Sequence, residues 1–547
     1  MTRVATILLA ASLAIPAAAE PSRYVQPYIE LSQAAAADLS NDGDVLTYTQ
    51  AAVGVEAGVS SRRAQAQVSY RYERRIDWQD PVVDQSVHSG LALARVQLTP
   101  ALSFDAGALA TRSRSDIRGD APGNLVGNVA NVAQVYALYA GPSVATRAGV
   151  LDVTAAYRFG YTKVEVPDVP SVLPGQPPLD YYDDSRSHLV TASVGVPVGR
   201  VAPFGVTLSG AWEREDAGQL DQRYDGWFGR GDVVMPLSRT VAVRAGVGYE
   251  KIEVGQRDPL LDAAGNVVRD GNGRFVTDTG SPVRIAYQTD GLIYDAGVIW
   301  RPSPRLELQA NAGWRYGSET YFGSLSYAMS RDVALNVVVY DGIETFGRQL
   351  RDGLSTLPTA FETRPDPFGQ QFAGCVFGAR PGQDGATGGG AGGCLNDVFQ
   401  SIATASYRAR GVDGVISAAR GRNRFGFGMG YANRRLYAPR NIPGISVIGI
   451  EDESAYAQAF WSRNLTRVSA VDASIFANWY ASGLAGLGNG VTATTPGDVW
   501  GYGANGTYSH QFGRLGTLAS IGVYGFDQQG FDSQWSAQAL VGARYTF

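Results

Sequence analysis

The sequence predicts an all-β fold: one closed, transmembrane antiparallel β-barrel with an even strand number, about 22 (20–24). Three observations predict it. Apolar and polar residues alternate with a period of two from Tyr24 to the C-terminus, short turns alternate with long polar segments, and no apolar stretch of about 18 residues follows the first 19. A bilayer-spanning helix is thereby excluded, whereas a barrel strand needs only about 10 residues of alternating character.

Residues 1–19 read as a secretory signal peptide: Arg3, the apolar run Val4 to Ile15, then Ala17-Ala18-Ala19 before Glu20. Residues 20–547 form a single unit, since no shift in composition marks a boundary. In the first hairpin, Val45, Thr47, Thr49, Ala51, Val53, Val55, Ala57 and Val59 oppose Tyr48, Gln50, Gly54 and Glu56. After Ser60-Ser61, Ala66, Val68, Tyr70 and Tyr72 oppose Arg71, Glu73 and their polar neighbours. The same pattern sets Leu151, Val153 and Tyr157 against Asp152 and Arg158, and Leu306, Leu308 and Trp314 against Arg305, Glu307 and Arg315. Charges at this density would be costly in a dry core but not in a wet lumen. Glu56, Arg71, Glu73, Asp105, Arg158, Arg305, Glu307, Arg315 and Asp472 are therefore the expected lumen-lining residues, pairing across the wall and shaping a polar channel.

Short turns fall at Ser60-Ser61, Thr99-Pro100, Pro236 to Arg239, Arg301 to Pro304, Arg420 to Asn423 and Gln511 to Gly513, among others. Between them lie long segments, the longest being Gln349 to Gln400; only the link near Gly317 to Thr320 is tight for its side. Short periplasmic turns and long outer loops are the rhythm of bacterial outer-membrane barrels, so 349–400 is expected as a long outer loop that folds over or into the mouth. Aromatic residues such as Trp212, Tyr224, Trp227, Trp300 and Trp500 cluster toward strand ends, as lipid-boundary girdles do. The final strand, Trp535 to Phe547, alternates with only Leu540 out of place. Its aromatic end, Tyr545 and Phe547, resembles the signal read by the barrel-assembly machinery, and Phe547 is expected to face lipid with Thr546 facing the lumen.

The remaining chemistry is sparse. Cys375 and Cys394 are the only cysteines, and an isolated pair in an exported chain is expected as a disulfide. No metal ligand set, no cofactor motif and no G-x-S-x-G or H-E-x-x-H occurs, so no enzyme and no catalytic residue is expected. The three histidines, His88, His188 and His510, read as polar loop or lumen residues. A net charge of −5 leaves no broad basic footprint for nucleic acid. The expected partners are outer-membrane lipids, the assembly machinery, and a polysaccharide or other polar solute. An energised, ligand-gated transporter is disfavoured, because 22-stranded barrels of that kind carry a plug and the few residues between Glu20 and Tyr24 supply none.

One region resembles a family. Tyr294 to Arg305 (ending Trp300-Arg301-Pro302-Ser303-Pro304-Arg305), Gly313-Trp314-Arg315-Tyr316-Gly317, Ser324-Leu325-Ser326-Tyr327 and Tyr340-Asp341-Gly342-Ile343-Glu344-Thr345 are similar to the outer-membrane barrel proteins associated with PEP-CTERM and exosortase systems. That resemblance implies a component of the outer membrane linked to exopolysaccharide production or secretion, and it carries over no catalytic residue. The functions that follow are a channel or export-associated component, a structural or surface-attachment barrel without transport, and a rim-site enzyme, in that order.

Overall fold

The computed structural model describes residues 22–40, 45–77, 85–114, 132–166, 180–440 (apart from 364–367, 369–371, 373, 384, 386, 387, 401 and 403), 451–482, 498–528 and 532–547. The expected signal peptide, 1–19, lies outside them.

Twenty-two antiparallel strands form the wall. They are β1 (Ser22–Asp38), β2 (Val45–Ser60), β3 (Ala64–Asp77), β4 (Gln85–Gln97), β5 (Leu102–Arg114), β6 (Val132–Ala148), β7 (Leu151–Glu165), β8 (Asp184–Val196), β9 (Gly205–Ala217), β10 (Arg223–Pro236), β11 (Val241–Gln256), β12 (Arg284–Ser303), β13 (Leu306–Arg315), β14 (Ser318–Ala328) and β15 (Val333–Glu344), followed after an insertion by the remaining seven. The insertion contains a helix, α1 (Phe346–Thr356), and a small hairpin, β16 (Cys375–Phe377) with β17 (Gly392–Cys394). The wall then resumes with β18 (Ser406–Arg420), β19 (Asn423–Tyr437), β20 (Glu451–Asn464), β21 (Ser469–Ser482), β22 (Val499–Phe512), β23 (Leu515–Gln528) and β24 (Gln534–Thr546).

Each wall strand pairs with its sequence neighbours, and β1 closes the ring on β24 in a register running from Tyr28 opposite Thr546 to Asp38 opposite Ser536. Closure leaves no strand edge unpaired, which is what a sheet surrounded by hydrocarbon requires. The alternation sorts the two faces. Leu292 and Ile521 are 68% and 71% exposed on the outside. Their strand neighbours Ile293 and Ser520 are buried on the inside. Large exposed apolar side chains in a continuous outward belt are a lipid-facing surface. Trp212, Trp227, Tyr249, Trp300, Trp314, Trp500 and Tyr545 belong to it. Tyr224 does not: it is buried on the inner face.

The two ends differ. At the end where β1 begins and β24 finishes, ten connections of two to eight residues join the strands. They contain nine arginines (Arg62, Arg63, Arg200, Arg239, Arg305, Arg331, Arg422, Arg467, Arg514) and one acid, Asp332. The opposite end carries every connection longer than eight residues, and its tightest link is a two-residue turn. Tyr316 and Gly317, at φ 56° and 72°, form a two-residue turn between β13 and β14. Two consecutive left-handed residues give a type I′ hairpin, whose twist matches the flanking strands.

The longest segment does not stay outside. Residues 349–400 were expected as a long outer loop folding over or into the mouth; the described residues of 345–405 go further, entering the barrel and reaching its other end. Thr345 caps α1, its hydroxyl accepting from the Arg348 amide. Phe346, Leu350 and Leu354 then lie on one helix face, fully buried. They join Leu91, Leu93, Leu109, Val135, Tyr139 and Val164 of the wall with Tyr181, Tyr182, Phe399 and Ile402 in one dry cluster. Beyond the helix the chain descends to the short-turn end. There Arg380 Nη1 donates to Ser60 Oγ at 3.2 Å, and a Cβ added to Gly382 would stand 1.7 Å from the Ser330 carbonyl oxygen. It returns through β17 to the outer end, where Tyr182 N donates to the Ile402 carbonyl at 3.0 Å. The barrel is plugged, contrary to expectation, and the plug does not come from the residues that precede β1. It is drawn from the middle of the chain because its apolar side chains find partners only on the inner wall.

Candidate gate in the lumen

The plug touches the wall on nearly every side. Phe361 lies against β3, where Gln67 Nε2 donates to its carbonyl at 2.9 Å. Phe368 packs with Ala34, Tyr48, Leu518, Tyr524 and Leu540 of β1, β2, β23 and β24. On the far side Cys375 N donates to Gln458 Oε1 of β20 at 2.9 Å. Leu540, the one apolar residue on the wrong side of the last strand, is thus the seat of Phe368.

Helix α1 is tied down by charge. Glu213 of β9 receives both Arg348 and Arg351, and Arg351 also reaches Asp352 at 2.9 Å. Burial opposes both guanidinium charges. Glu213 with Tyr224 and Glu344 around Arg348, and Asp352 with Glu213 beside Arg351, outweigh it and hold both arginines firmly protonated. Arg348 also lies 3.6 Å above the Tyr224 ring, a cation–π contact between two buried side chains. Glu215, two residues along β9, accepts from Thr345 and, at 3.0 Å, from Tyr182 Oη.

A second anchor is the disulfide between Cys375 and Cys394, which joins β16 to β17. It is seated on Gly428 of β19, where any Cβ would lie 2.4 Å from Cys375 Sγ, so glycine is the residue that lets the bond reach the wall. Nearby Asp397 accepts from Gln349 Nε2 at 2.6 Å and from Tyr340 Oη at 3.1 Å, and burial raises its pKa above the ordinary carboxylate range.

The outer end is capped by the loops. Asp180 accepts from Gln219 Nε2 at 2.8 Å and from Phe275 N at 3.0 Å, while Thr404 N of the returning plug donates to the Asp180 carbonyl at 3.2 Å. Burial pushes the Asp180 carboxyl up to about 7, against the pull of those hydrogen bonds. Arg274 reaches across to the Val164 carbonyl at 2.6 Å, stitching the 257–283 loop to the wall.

At the short-turn end the interior stays open. A cavity of about 410 Å³ is lined by Arg62, Arg63, Gln65, Arg95, Gln97, Ser103, Ser143 and Thr154 among others. A second, of about 400 Å³, lies between the wall residues Arg95, Asp105, Tyr139 and Asn336 and the plug residues Thr356, Thr359 and Gln383.

The expected lumen residues are dispersed through this interior. Arg71 bridges Glu30 at 2.7 Å and Glu73 at 3.0 Å; Arg75 reaches Glu73 at 2.5 Å and Arg544 reaches Glu30 at 2.7 Å, making a charged ladder across β1, β3 and β24. Glu56 accepts from Ser69 Oγ at 2.7 Å. Asp105 meets Arg95 at 2.6 Å, and Arg315 meets Glu250 at 2.7 Å. Arg158 faces the plug itself, 3.9 Å from Asp352. Glu307 pairs with Arg301 at 2.7 Å near the short-turn mouth. Asp472 lies half-buried on β21 opposite Ser462 and Thr507. Arg305 is not in the lumen: β13 begins only at Leu306, so Arg305 sits exposed on the turn between β12 and β13, outside the strand alternation. Tyr545 and Phe547 stack edge to face at 5.2 Å, with Phe547 61% exposed.

Sequence reading missed the residues that hold the plug: Glu213, Arg348, Arg351 and Asp397. It also misplaced the histidines. His88 shares a 2.7 Å hydrogen bond with Tyr70 and lies beside Tyr72 and Tyr136; His188 pairs with Tyr157 at 2.8 Å and His510 with Tyr508 at 3.3 Å. These tyrosines belong to the outward face, so the histidines sit in the aromatic belt rather than in the lumen.

The class this architecture defines is the bacterial outer-membrane β-barrel: even-stranded, closed, apolar outside, short turns at one end and long segments at the other. No family model matches the chain, and no curated protein does. Among solved structures it is similar to the open form of the ferric-catecholate import receptor Fiu from E. coli K12 (10% identity, TM-score 0.42, covering 95% of this chain and 81% of that one). It is also similar to the siderophore receptor PirA from Acinetobacter baumannii (9%, TM-score 0.39, 97% and 81%) and to Pseudomonas aeruginosa OpdQ (9%, TM-score 0.27, 96% and 97%). Likenesses this distant concern the barrel fold alone.

Proposed function

We propose that the protein is an outer-membrane conduit held closed by its own mid-chain plug, and that it serves the export of exopolysaccharide. One observation carries the gated reading: residues 345–405 enter at the outer end, reach the short-turn end and return, anchored to β9 by ions and to β19 through the disulfide. A purely structural barrel has no need of a lumen filled by a segment with two separate anchors. The polysaccharide assignment rests on the resemblance around Tyr294 to Thr345 and on an inner wall rich in Arg, Gln, Ser and Tyr, groups that hydrogen-bond hydroxyls and pack on sugar faces. Histidines turned to the lipid support a non-enzymatic role.

Planar-bilayer recording of the refolded protein tests the gate. The native chain is expected to be nearly silent, and a variant with 346–404 replaced by a short Gly/Ser linker to conduct steadily. Reducing Cys375–Cys394 is expected to produce intermittent openings, since closing a segment of this length is worth roughly 3 kcal/mol on the chain-entropy model. Equal conductance of the native and plug-less proteins would sink the proposal.

A further inference from the structure

The barrel is electrically polarised along its axis, and its net charge conceals this. The ten short turns hold nine arginines and one acid, whereas the ten long-end connections other than the plug segment hold 16 acids and five arginines. Among the described residues none of the nine turn arginines forms an ion pair with a carboxylate. Like charges concentrated on one rim repel one another and cost stability, so an unpaired ring of this kind is built for a partner of opposite sign.

The lumen continues the ring inward. Arg62 and Arg63 line the 410 Å³ cavity with Arg95, and its other polar lining is neutral: Gln65, Gln97, Ser103, Ser143, Thr154 and Thr191. Arg95 has one carboxylate partner, Asp105, and its side chain remains 48% exposed. From these residues we infer that the short-turn mouth is a docking vestibule for an anionic, polyhydroxylated chain, an acidic polysaccharide taken up from the periplasmic side. Guanidinium groups bind carboxylates in a fork, and the amides and hydroxyls between them match sugar hydroxyls. A rim of one sign over low-dielectric walls also focuses field into the opening and raises the local concentration of an anion. Inner-leaflet phospholipid is the competing ligand for the rim, but lipid touches the outer circumference, and Arg62, Arg63 and Arg95 converge on the lumen.

The inference deepens the conduit reading and rests on it for the direction of transport; the binding site itself is tested separately. The whole protein, plug intact, is placed in phosphatidylcholine nanodiscs, where both mouths are accessible, and titrated calorimetrically with oligogalacturonate and with malto-oligosaccharide of the same length. Oligogalacturonate is expected to bind, to weaken with added salt, and to bind roughly tenfold or more weakly to R62Q/R63Q, which lose two charge-assisted contacts. R467Q, on the rim but outside the cavity lining, is expected to keep its affinity within about twofold, since an exposed charge at that distance is screened. Malto-oligosaccharide is expected to give no measurable heat. Equal binding of the two saccharides, an unchanged R62Q/R63Q, or no binding by the native protein would each overturn the site. Loss of affinity for phosphatidylglycerol discs alone in R62Q/R63Q would assign the arginines to lipid and overturn it too. Because nothing here is read from conductance, a failed gate leaves this result standing, and a failed site leaves the gate standing.

Discussion

Arg351 with Glu213 and Arg95 with Asp105 are the same chemical pair placed in two solvents. The first lies toward the outer end of the lumen, with 1% and 13% of its side chains exposed, beneath the Phe346, Leu350 and Leu354 face of α1. The second lies near the short-turn mouth, 48% and 20% exposed, on the wall of an open cavity. Removing a partner from a buried pair strands a charge in a low-dielectric medium, while an exposed pair returns to water at little cost. One half of the lumen is therefore a seal and the other a vestibule, although both are lined by Arg, Asp and Glu.

The largest break in that contrast should come from Glu213→Gln. It leaves Arg348 and Arg351 buried without their shared carboxylate and should loosen α1 by about 3–5 kcal/mol. Frequent channel openings and new protease cleavage within 346–360 would report it; a variant as quiet and resistant as the native protein would show that the ion pairs do not hold the helix.

Next in size is Asp180→Asn. The folded carboxyl has its pKa pushed up to about 7, above its ordinary value. The sign follows: its contribution to cap stability is full below about pH 4 and is lost as pH rises through about 7, because the protonated form is the one that suits the buried site. At pH 8 the asparagine variant should protect the 402–406 backbone from hydrogen exchange better than the native chain, by something on the order of 1–3 kcal/mol, and the advantage should vanish near pH 4. No pH dependence in the difference would remove Asp180 from the cap.

The smallest effect sharpens the contrast from the other side. Arg95→Gln should change stability by less than about 1 kcal/mol, read as an unchanged urea midpoint for unfolding. A loss near that of Glu213→Gln would mean that the short-turn half is as dry as the outer half.

Much of the wall was legible because its determinants are local. A period of two fixes which side chain faces which side, and a turn needs only a few residues to be recognised, so the 22 strands and the lipid-facing belt follow from neighbours in the chain. Arg305 and Tyr224 mark the limits of that reading, one at a strand end and one an aromatic residue that packs on the inner wall instead of joining the outer belt. The gate was only half legible. Phe346, Leu350 and Leu354 repeat at helical spacing, and Leu540 stood out on an otherwise polar face, but neither feature names its partner.

By itself, then, the sequence determined a closed barrel with a polar interior and an apolar exterior, since strand alternation and turn chemistry act over a few residues. Only the tertiary structure decided that 345–405 would occupy that interior. Its partners, Leu91, Leu109, Val135, Glu213 and Leu540, lie more than a hundred residues away along the chain, and burial against them depends on a closed ring that exists only after β1 has met β24.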